Sequence, residues 1–186
     1  MLDRLYADES LFVRNSVANN LNDITRTHPD LALETARRWA ASDAPHAAWV
    51  VERGLRGLIK QGHPEALGIA GFATGDAIQI SDVEFPEAVA VGDAAVLTVS
   101  LTNTSSEPQE VLGEYRVYFL KKNGTRRPSV FRLGKFTLAP GETRVVEKNH
   151  VFRVTGTRTY YPGTQAISVV VNGMESEPEE FELTAD

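Results

Sequence analysis

Along the first seventy residues apolar side chains recur at helical spacing. From Leu11 to Thr27, Val13, Val17, Leu21 and Ile24 fall on one side of a helix turning about 100° per residue. Asn15, Asn19, Asn22 and Arg26 fall on the other side, with Asp23 beside them and Arg14 on the flank. From His46 to Gln61, Ala48, Val51, Leu55 and Leu58 form the apolar stripe. Trp49, Arg53, Arg56 and Lys60 follow at i, i+4, i+7 and i+11, so they share the opposite face. Between these two helices Pro29, a good first helical residue, opens another through Leu33, Ala36 and Trp39. Ser10 is placed to cap the first helix, and Ser42-Asp43-Ala44-Pro45 is a turn. The helix from His46 ends at Gly62, and Pro64 opens a short closing helix through Leu67 and Ile69 to Phe72. Leu2 to Ala7 reads as the tail of an earlier helix.

Short helical hairpins of this kind are the construction of HEAT-like arrays. Fewer than three full repeats are present, and such arrays rarely stand alone. Near Phe72 to Ala77 the apolar period changes from helical to two, with Ala73-Thr74-Gly75-Asp76 as the linker. Strands are predicted at Ala77–Glu84, Ala94–Thr102, Gln109–Lys122, Ser129–Leu138, Thr143–Arg153, Thr164–Asn172 and Glu177–Leu183. Lys122-Asn123-Gly124-Thr125 carries the Asn-Gly hairpin signature, and Ala139-Pro140-Gly141-Glu142 is a second turn. Seven short strands in sequence imply an immunoglobulin-like sandwich of the broader class, without the Cys pair and core Trp of antibody domains. The fold class is therefore α plus β in two domains. Helical HEAT-like repeats, an α-α superhelix fragment, are expected over 1–74 and an all-β immunoglobulin-like sandwich over 77–186.

The polar faces admit two readings. Asn competes for backbone hydrogen bonds and is a mediocre helix former, so an amide-rich face suggests that something polar is held there. Three cations and an indole on one face suit phosphate contact plus stacking. The bland reading is a pair of solvated helices with Trp49 packed on a neighbour. Charge adds a second clue. The net charge is −6, yet 11 Lys and Arg and only two acids lie between Arg116 and Arg158. Such a block attracts a polyanion, or else it pairs with the acidic segments Asp82–Glu114 and Glu175–Asp186 on either side. Lys121, Lys122, Arg126 and Arg127 surround one hairpin tip, a reasonable probe for a DNA groove or backbone. Tyr115, Tyr118, Phe119, Phe131, Phe136 and Phe152 alternate in strands and read as sandwich core.

Several chemistries drop out. The chain has no Cys, so disulfides, Cys zinc sites and Cys nucleophiles are excluded. His28, His46 and His63 are spaced by 18 and 17 residues, which fits no metal motif. There is no Gly-rich phosphate loop or Ser nucleophile motif, and no cofactor is expected. No apolar run approaches the roughly 20 residues that span a bilayer, and Met1-Leu2-Asp3-Arg4-Leu5 lacks a signal-peptide core. A cytoplasmic location and no membrane partner are the expectation.

The run Phe12-Val13-Arg14-Asn15-Ser16-Val17-Ala18-Asn19-Asn20-Leu21-Asn22-Asp23-Ile24 resembles the late repeats of the HEAT-like-repeat alkylpurine DNA glycosylases, in the AlkC branch. So do His28-Pro29-Asp30 leading to Arg38-Trp39, Trp49-Val50-Val51, Leu55-Arg56-Gly57-Leu58-Ile59-Lys60, Gly62-His63-Pro64-Glu65-Ala66-Leu67 and Gly71-Phe72. Members of that branch often follow the array with an immunoglobulin-like domain. They also carry several further repeats ahead of this point, where much of the cleft lies. Two departures stand out. The family pattern has a second Arg where this chain has Asn15, and Arg-His-Ala where it has Glu52-Arg53-Gly54. Gly54 and Gly57 in a helix each cost up to about 1 kcal/mol against Ala, and they indicate either close helix packing or decay.

The resemblance implies the C-terminal part of an enzyme that hydrolyses the N-glycosidic bond of alkylated purines in double-stranded DNA. A carboxylate would stabilise oxocarbenium-like charge while Arg and Lys grip phosphates. On that mapping Arg14, Arg53, Arg56 and Lys60 are phosphate contacts, and Asn19 and Asn22 donate to backbone oxygens. Trp49 completes the helical face, and Lys121, Lys122, Arg126 and Arg127 serve on the hairpin. Asp23 is the one acid placed to approach the deoxyribose; its plainer role is to cap the next turn or pair with Arg26. The main catalytic acid is expected outside this chain. Two other classes remain: a non-catalytic module binding an extended peptide on the Asn-rich face, and a relic that dimerises through Leu2, Leu5, Leu11 and Phe12.

Overall fold

The computed structural model describes residues 1–72, 77–154 and 159–185; the expected linker and Arg158 lie outside the described residues. The chain divides into two compact units, Met1–Gly75 and Asp76–Asp186. The first is helical: α1 (Leu11–Ile24), α2 (Pro29–Ala40), α3 (Ala47–Gly54), α4 (Arg56–Lys60) and α5 (Pro64–Ile69), preceded by a 3-10 turn at Leu2–Arg4. No described helix is long and apolar enough to cross a membrane.

Two features of the helical unit depart from the sequence pattern. The buried face of α1 holds Val17, Ala18 and Leu21 but also Arg14 and Asn22, while Val13 and Ile24 are half-exposed. The face is rotated toward the polar stripe because α1 packs on both α2 and α3. The single helix expected from His46 is two, offset at Leu55. The cause lies in the glycines. A Cβ on Gly54 would stand 2.6 Å from Leu21 Cδ2, so only Gly lets α3 meet α1 this closely. Gly57 then donates its backbone N–H to Asn22 Oδ1 at 3.2 Å, which gives the first turn of α4 an acceptor it would otherwise lack. Leu55 and Leu58 are buried; Ala48 is exposed, because α3 turns Ala47, Val50 and Val51 inward.

Ser10 makes no side-chain cap; its N–H instead donates to Asp8 Oδ1 at 2.8 Å. The leading residues strap across the end of α2. Tyr6 stacks on Trp39 with ring centroids 4.8 Å apart, and Trp39 Nε1 donates to Asp3 Oδ1 at 2.8 Å.

The second unit holds β1 (Ile78–Glu84), β2 (Ala88–Ala90), β3 (Ala94–Asn103), β4 (Gln109–Leu120), β5 (Arg126–Leu138), β6 (Thr143–Val151), β7 (Gly163–Val171), β8 (Met174–Glu175) and β9 (Glu179–Thr184). One sheet runs β1-β3-β6 and the other β2-β9-β7-β4-β5, with β8 on β7. All described pairs are antiparallel except β2 with β9. The pattern predicted seven strands; β2 and β8, three and two residues long, are too short to show a period.

Alternation places Leu97, Val99 and Leu101 of β3 against Val111, Tyr115, Val117 and Phe119 of β4, all buried. Phe152 is fully buried, and Phe131 and Phe136 are half-buried. Tyr118 departs from the expected core: it lies on the outer face of β4, where its hydroxyl donates to Glu175. The pairing of β4 with β5 shifts between Glu114–Arg132 and Gly113–Gly134, which leaves Leu133 as an extra residue. Around Tyr115, His150 contributes Nδ1 at 2.9 Å from the phenol oxygen, among the rings of Phe119, Phe131 and Phe152.

Buried amides tie the loops to this core. Asn103 donates to Glu107, Leu138 and Ala139 carbonyls and accepts from Ser105. Gln165 and Asn172 do the same for the chain around Leu120 and Leu112. Each satisfies its own polar atoms while fixing a loop, which a buried group must do to be tolerated.

Gly54→Ala is expected to destabilise the helical unit by about 1–3 kcal/mol through overpacking against Leu21, outweighing the better helix propensity of Ala. Urea unfolding followed by helical circular dichroism measures it, and an unchanged midpoint would contradict the packing described. Burial pushes the Tyr115 phenol up to about 12. The fold favours the neutral phenol, so this contribution is complete below about pH 10 and is lost as pH rises toward 12. Tyr115→Phe should lower stability at neutral pH yet flatten its decline over that alkaline window, as read from thermal midpoints against pH.

Candidate functional site

The outward side of α1 and the α3–α4 break bring four charged groups together. Burial and the neighbouring Arg53 hold the Arg56 guanidinium below its usual value, with Asp23 opposing the shift and Arg26 adding to it. Arg26 Nη1 lies 3.8 Å from Asp23 Oδ1, both well exposed. Arg26 and Arg56 thus both lie within reach of the Asp23 carboxylate, and Arg53 adjoins Arg56. Arg56 Nη1 also donates to the Arg53 carbonyl at 2.7 Å, which ties the side chain across the helix break. Arg26 lies on the polar stripe, and its pairing with Asp23 is the one their spacing of three led us to expect.

Trp49 is 38% exposed, and two guanidinium carbons approach its ring centroid, Arg53 at 5.5 Å and Arg14 at 5.9 Å. The two arginines differ in kind. Arg53 is exposed, whereas Arg14 is only 9% exposed and donates Nη1 to the Asp8 and Glu9 carbonyls at 2.7 and 2.8 Å. Arg14, which the family resemblance gives as a phosphate contact, is here a buried brace for the chain entering α1. Asn22, given with Asn19 as a donor to backbone oxygens, is buried, and its Oδ1 is engaged by Gly57. Asn19 and Lys60 are exposed on α1 and α4. Asp23 is exposed beside Arg26, the geometry of a surface ion pair.

In the sandwich, part of the basic block is neutralised by the acids of neighbouring segments. Arg116 pairs with Glu175, Arg126 with Glu180 at 2.7 Å, and Arg144 with Glu142 at 2.7 Å. Arg126, expected as a free probe, is thus held against β9. Its neighbours on the tip are differently placed. Lys121, Lys122, Asn123, Thr125, Arg127 and Tyr161 line an open hollow of about 390 Å³ with no acid among them. Asn123 Oδ1 accepts from the Thr125 N–H and hydroxyl, and Gly124 adopts φ +79, which shapes the turn. Lys121 Nζ sits 5.9 Å from the Phe119 ring. Tyr161 carried no sequence signal as a member of this tip. Strand register puts the tip at the end of β4 opposite Gln109, about 35 Å away at the usual rise per strand residue. Among the described residues no three His, Asp or Glu side chains gather to hold a metal ion.

Residues 79–185 match the family model described as "Uncharacterised protein YhaZ, C-terminal Ig-like domain". The chain is 35% identical over 184 residues to the "Uncharacterized protein YhaZ" of Bacillus subtilis (strain 168), covering 98% of this chain and 51% of that protein. Among solved structures it resembles the Pseudomonas fluorescens alkylpurine DNA glycosylase AlkC bound to DNA containing an abasic site analog. That likeness has a TM-score of 0.86 and 37% identity, and covers 99% of this chain and 51% of that one. A Listeria innocua β-glucosidase matches 57% of this chain and 16% of its own at TM-score 0.50 and 14% identity, which shows a shared fold alone. The chain spans about half the length of the YhaZ and AlkC proteins it matches.

Asn22→Ala is expected to cost about 1–2 kcal/mol, because it strips the acceptor from the Gly57 N–H as loss of a helix cap does. Asn22→Asp retains the acceptor and should lose less. Equal urea midpoints for the two variants would show that the Gly57 contact carries no weight.

Proposed function

The chain belongs to the family of the YhaZ C-terminal immunoglobulin-like domain, and from that footing we propose that it is the DNA-gripping half of an alkylpurine DNA glycosylase of the AlkC kind. On this reading α1–α5 over 1–74 are the closing layers of a HEAT-like array and 77–186 is the appended sandwich. The observation that carries the proposal is the cluster on the helical unit, where Arg53 lies against the exposed Trp49, Arg56 is tied to the Arg53 carbonyl, and Arg26 stands 3.8 Å from Asp23. Excess positive charge with an aromatic face is the chemistry of backbone phosphates. The DNA-bound AlkC structure, alike over nearly the whole of this chain, supports the same reading.

Roles follow from geometry. Arg53, Arg56 and Lys60 neutralise phosphates of a duplex, Asn19 adds a hydrogen bond, and Trp49 supplies an apolar face. Lys121, Lys122 and Arg127 form a second contact on the sandwich tip. Arg14 and Asn22 act behind the surface by holding Trp49 and α4. Asp23 tempers the charge of its neighbours; the acid that promotes glycosidic cleavage lies elsewhere in the complete enzyme. With Asn22 turned inward, the amide face that favoured an extended-peptide ligand loses one of its donors.

Binding to a short duplex, measured across a salt series, tests this reading. Each phosphate contact removed should reduce the slope of log affinity against log salt by about 1. Arg53→Ala and Arg127→Ala are expected to do so, whereas Arg126→Ala, whose guanidinium is already paired with Glu180, should change the slope little. Absence of duplex binding at low salt would refute the proposal.

A further inference from the structure

The hollow at the sandwich tip contains a side chain that phosphate neutralisation does not need. Lys121, Lys122 and Arg127 supply its charge, Asn123 and Thr125 belong to its turn, and Tyr161 adds a ring. Tyr161 comes from the segment ahead of β7, and a buried amide fixes its backbone. Gln165, 1% exposed, donates Nε2 to the Tyr161 carbonyl at 3.0 Å and to the Gly163 carbonyl at 2.9 Å. Its Oε1 accepts the Leu120 N–H at 2.6 Å. One side chain thus ties Tyr161 to the strand end that leads into Lys121. The preceding Tyr160 is buried, its ring centroid 5.5 Å from that of Phe119 and 5.8 Å from that of Phe152. Tyr161 itself is only half-buried. A ring anchored at its backbone, partly open to solvent and set among cations suits a ligand that is both flat and anionic.

A phosphate has no face to lay on a ring, and a base inside a duplex has both faces covered by its neighbours in the stack. An unpaired base offers a free π-face to the ring and its phosphates to the cations. The hollow, at about 390 Å³, falls within the roughly 300–1,000 Å³ of small-ligand sites. We propose that this hollow binds one unpaired nucleotide of a DNA strand, with the base stacked on Tyr161 and the flanking phosphates on Lys122 and Arg127. This rests on the reading of the tip as a DNA contact, and narrows it to a strand whose base has left the stack. The sandwich then distinguishes DNA with an unpaired base from intact duplex. The cations alone do not, because phosphates carry no such information.

The test is binding of the 186-residue chain to three labelled probes, read by fluorescence anisotropy: a short oligothymidylate, a strand of equal length built of abasic units, and a fully paired duplex. The oligothymidylate is expected to bind more tightly than the abasic strand, whose charge is the same. Tyr161→Ala should weaken the oligothymidylate about tenfold and bring the two strands to equal affinity. The slope of log affinity against log salt should stay as it was, since no cation is lost. Tyr161→Phe, which keeps the ring, should retain most of the affinity. If Tyr161→Ala lowers the thermal midpoint, Tyr161→Leu replaces it, keeping bulk without a flat face, and the same outcome is expected. The proposal is overturned if the wild type binds both strands alike, if losing the ring weakens both strands equally, or if Tyr161→Phe fails as Tyr161→Ala does. Duplex binding that persists in any of these cases leaves the tip as a phosphate contact only; loss of all three probes refutes the DNA-binding reading as well.

Discussion

The close approach of α1 to the α3–α4 break is the constraint on which the helical unit turns. Gly54 admits Leu21 at a distance no side chain would allow, and the backbone of Gly57 comes close enough to meet Asn22. One consequence is packing, since Leu21 is 1% exposed. The other is electrostatic. The offset at Leu55 brings Arg56 back toward Arg53 and toward Asp23 and Arg26 on α1, where burial first and then the like charges depress its basicity. Such mutual repulsion is tolerated because packing, not attraction, sets the spacing, and an anion relieves it. The helix-breaking glycines and the cation cluster are two results of one contact.

The sandwich solves a different problem with different means. A long β5 and a basic block invite both aggregation and nonspecific polyanion binding. Acids on β8 and β9 take up Arg116 and Arg126, while Arg144 folds over Phe136 at 4.7 Å and pairs with Glu142. Backbone donation from Ala139 and the contact with Arg144 hold the Glu142 carboxyl below its usual value, so it stays ionised in the turn it closes. Lys121, Lys122 and Arg127 gather at the hairpin-tip hollow, whose lining residues include no acid. The local arrangement of charge, rather than its sum, decides which part of this acidic chain faces an anion.

Much of the architecture was legible because burial imposes a period. Val17, Leu21, Leu55 and Leu58 are buried where helical spacing put them, and β3 and β4 alternate where the period of two placed them, whereas β7 is buried on both faces from Gln165 to Val171. The errors cluster where two elements press on one. Asn22 fell on the polar stripe and Arg14 on its flank because single-helix periodicity knows only one partner, whereas α1 has α2 and α3. Ala48 failed for the converse reason: small residues carry little signal about which way they face. Pairing across sequence distance left no trace either. Glu180 lies 54 positions from Arg126, so nothing local distinguished Arg126 from Arg127 beside it.

That distinction bears on how strongly a chain like this can hold DNA. Affinity from phosphate neutralisation scales with the cations that release counterions, and a guanidinium already paired with a carboxylate releases few. Counting residues in the basic block overstates the grip, because Arg116, Arg126 and Arg144 are already paired with acids. A cation held by two backbone carbonyls, as Arg14 is, exchanges nothing with solvent when a duplex arrives. In the proposed DNA-binding role it contributes by stiffening the surface that carries Trp49 and Arg53, so that less side-chain freedom is lost when they meet a ligand. The buried polar residues of α1 and the exposed cations of α3 and α4 thus divide the work between order and charge. Removing the first kind should weaken binding to every duplex alike without altering its dependence on salt.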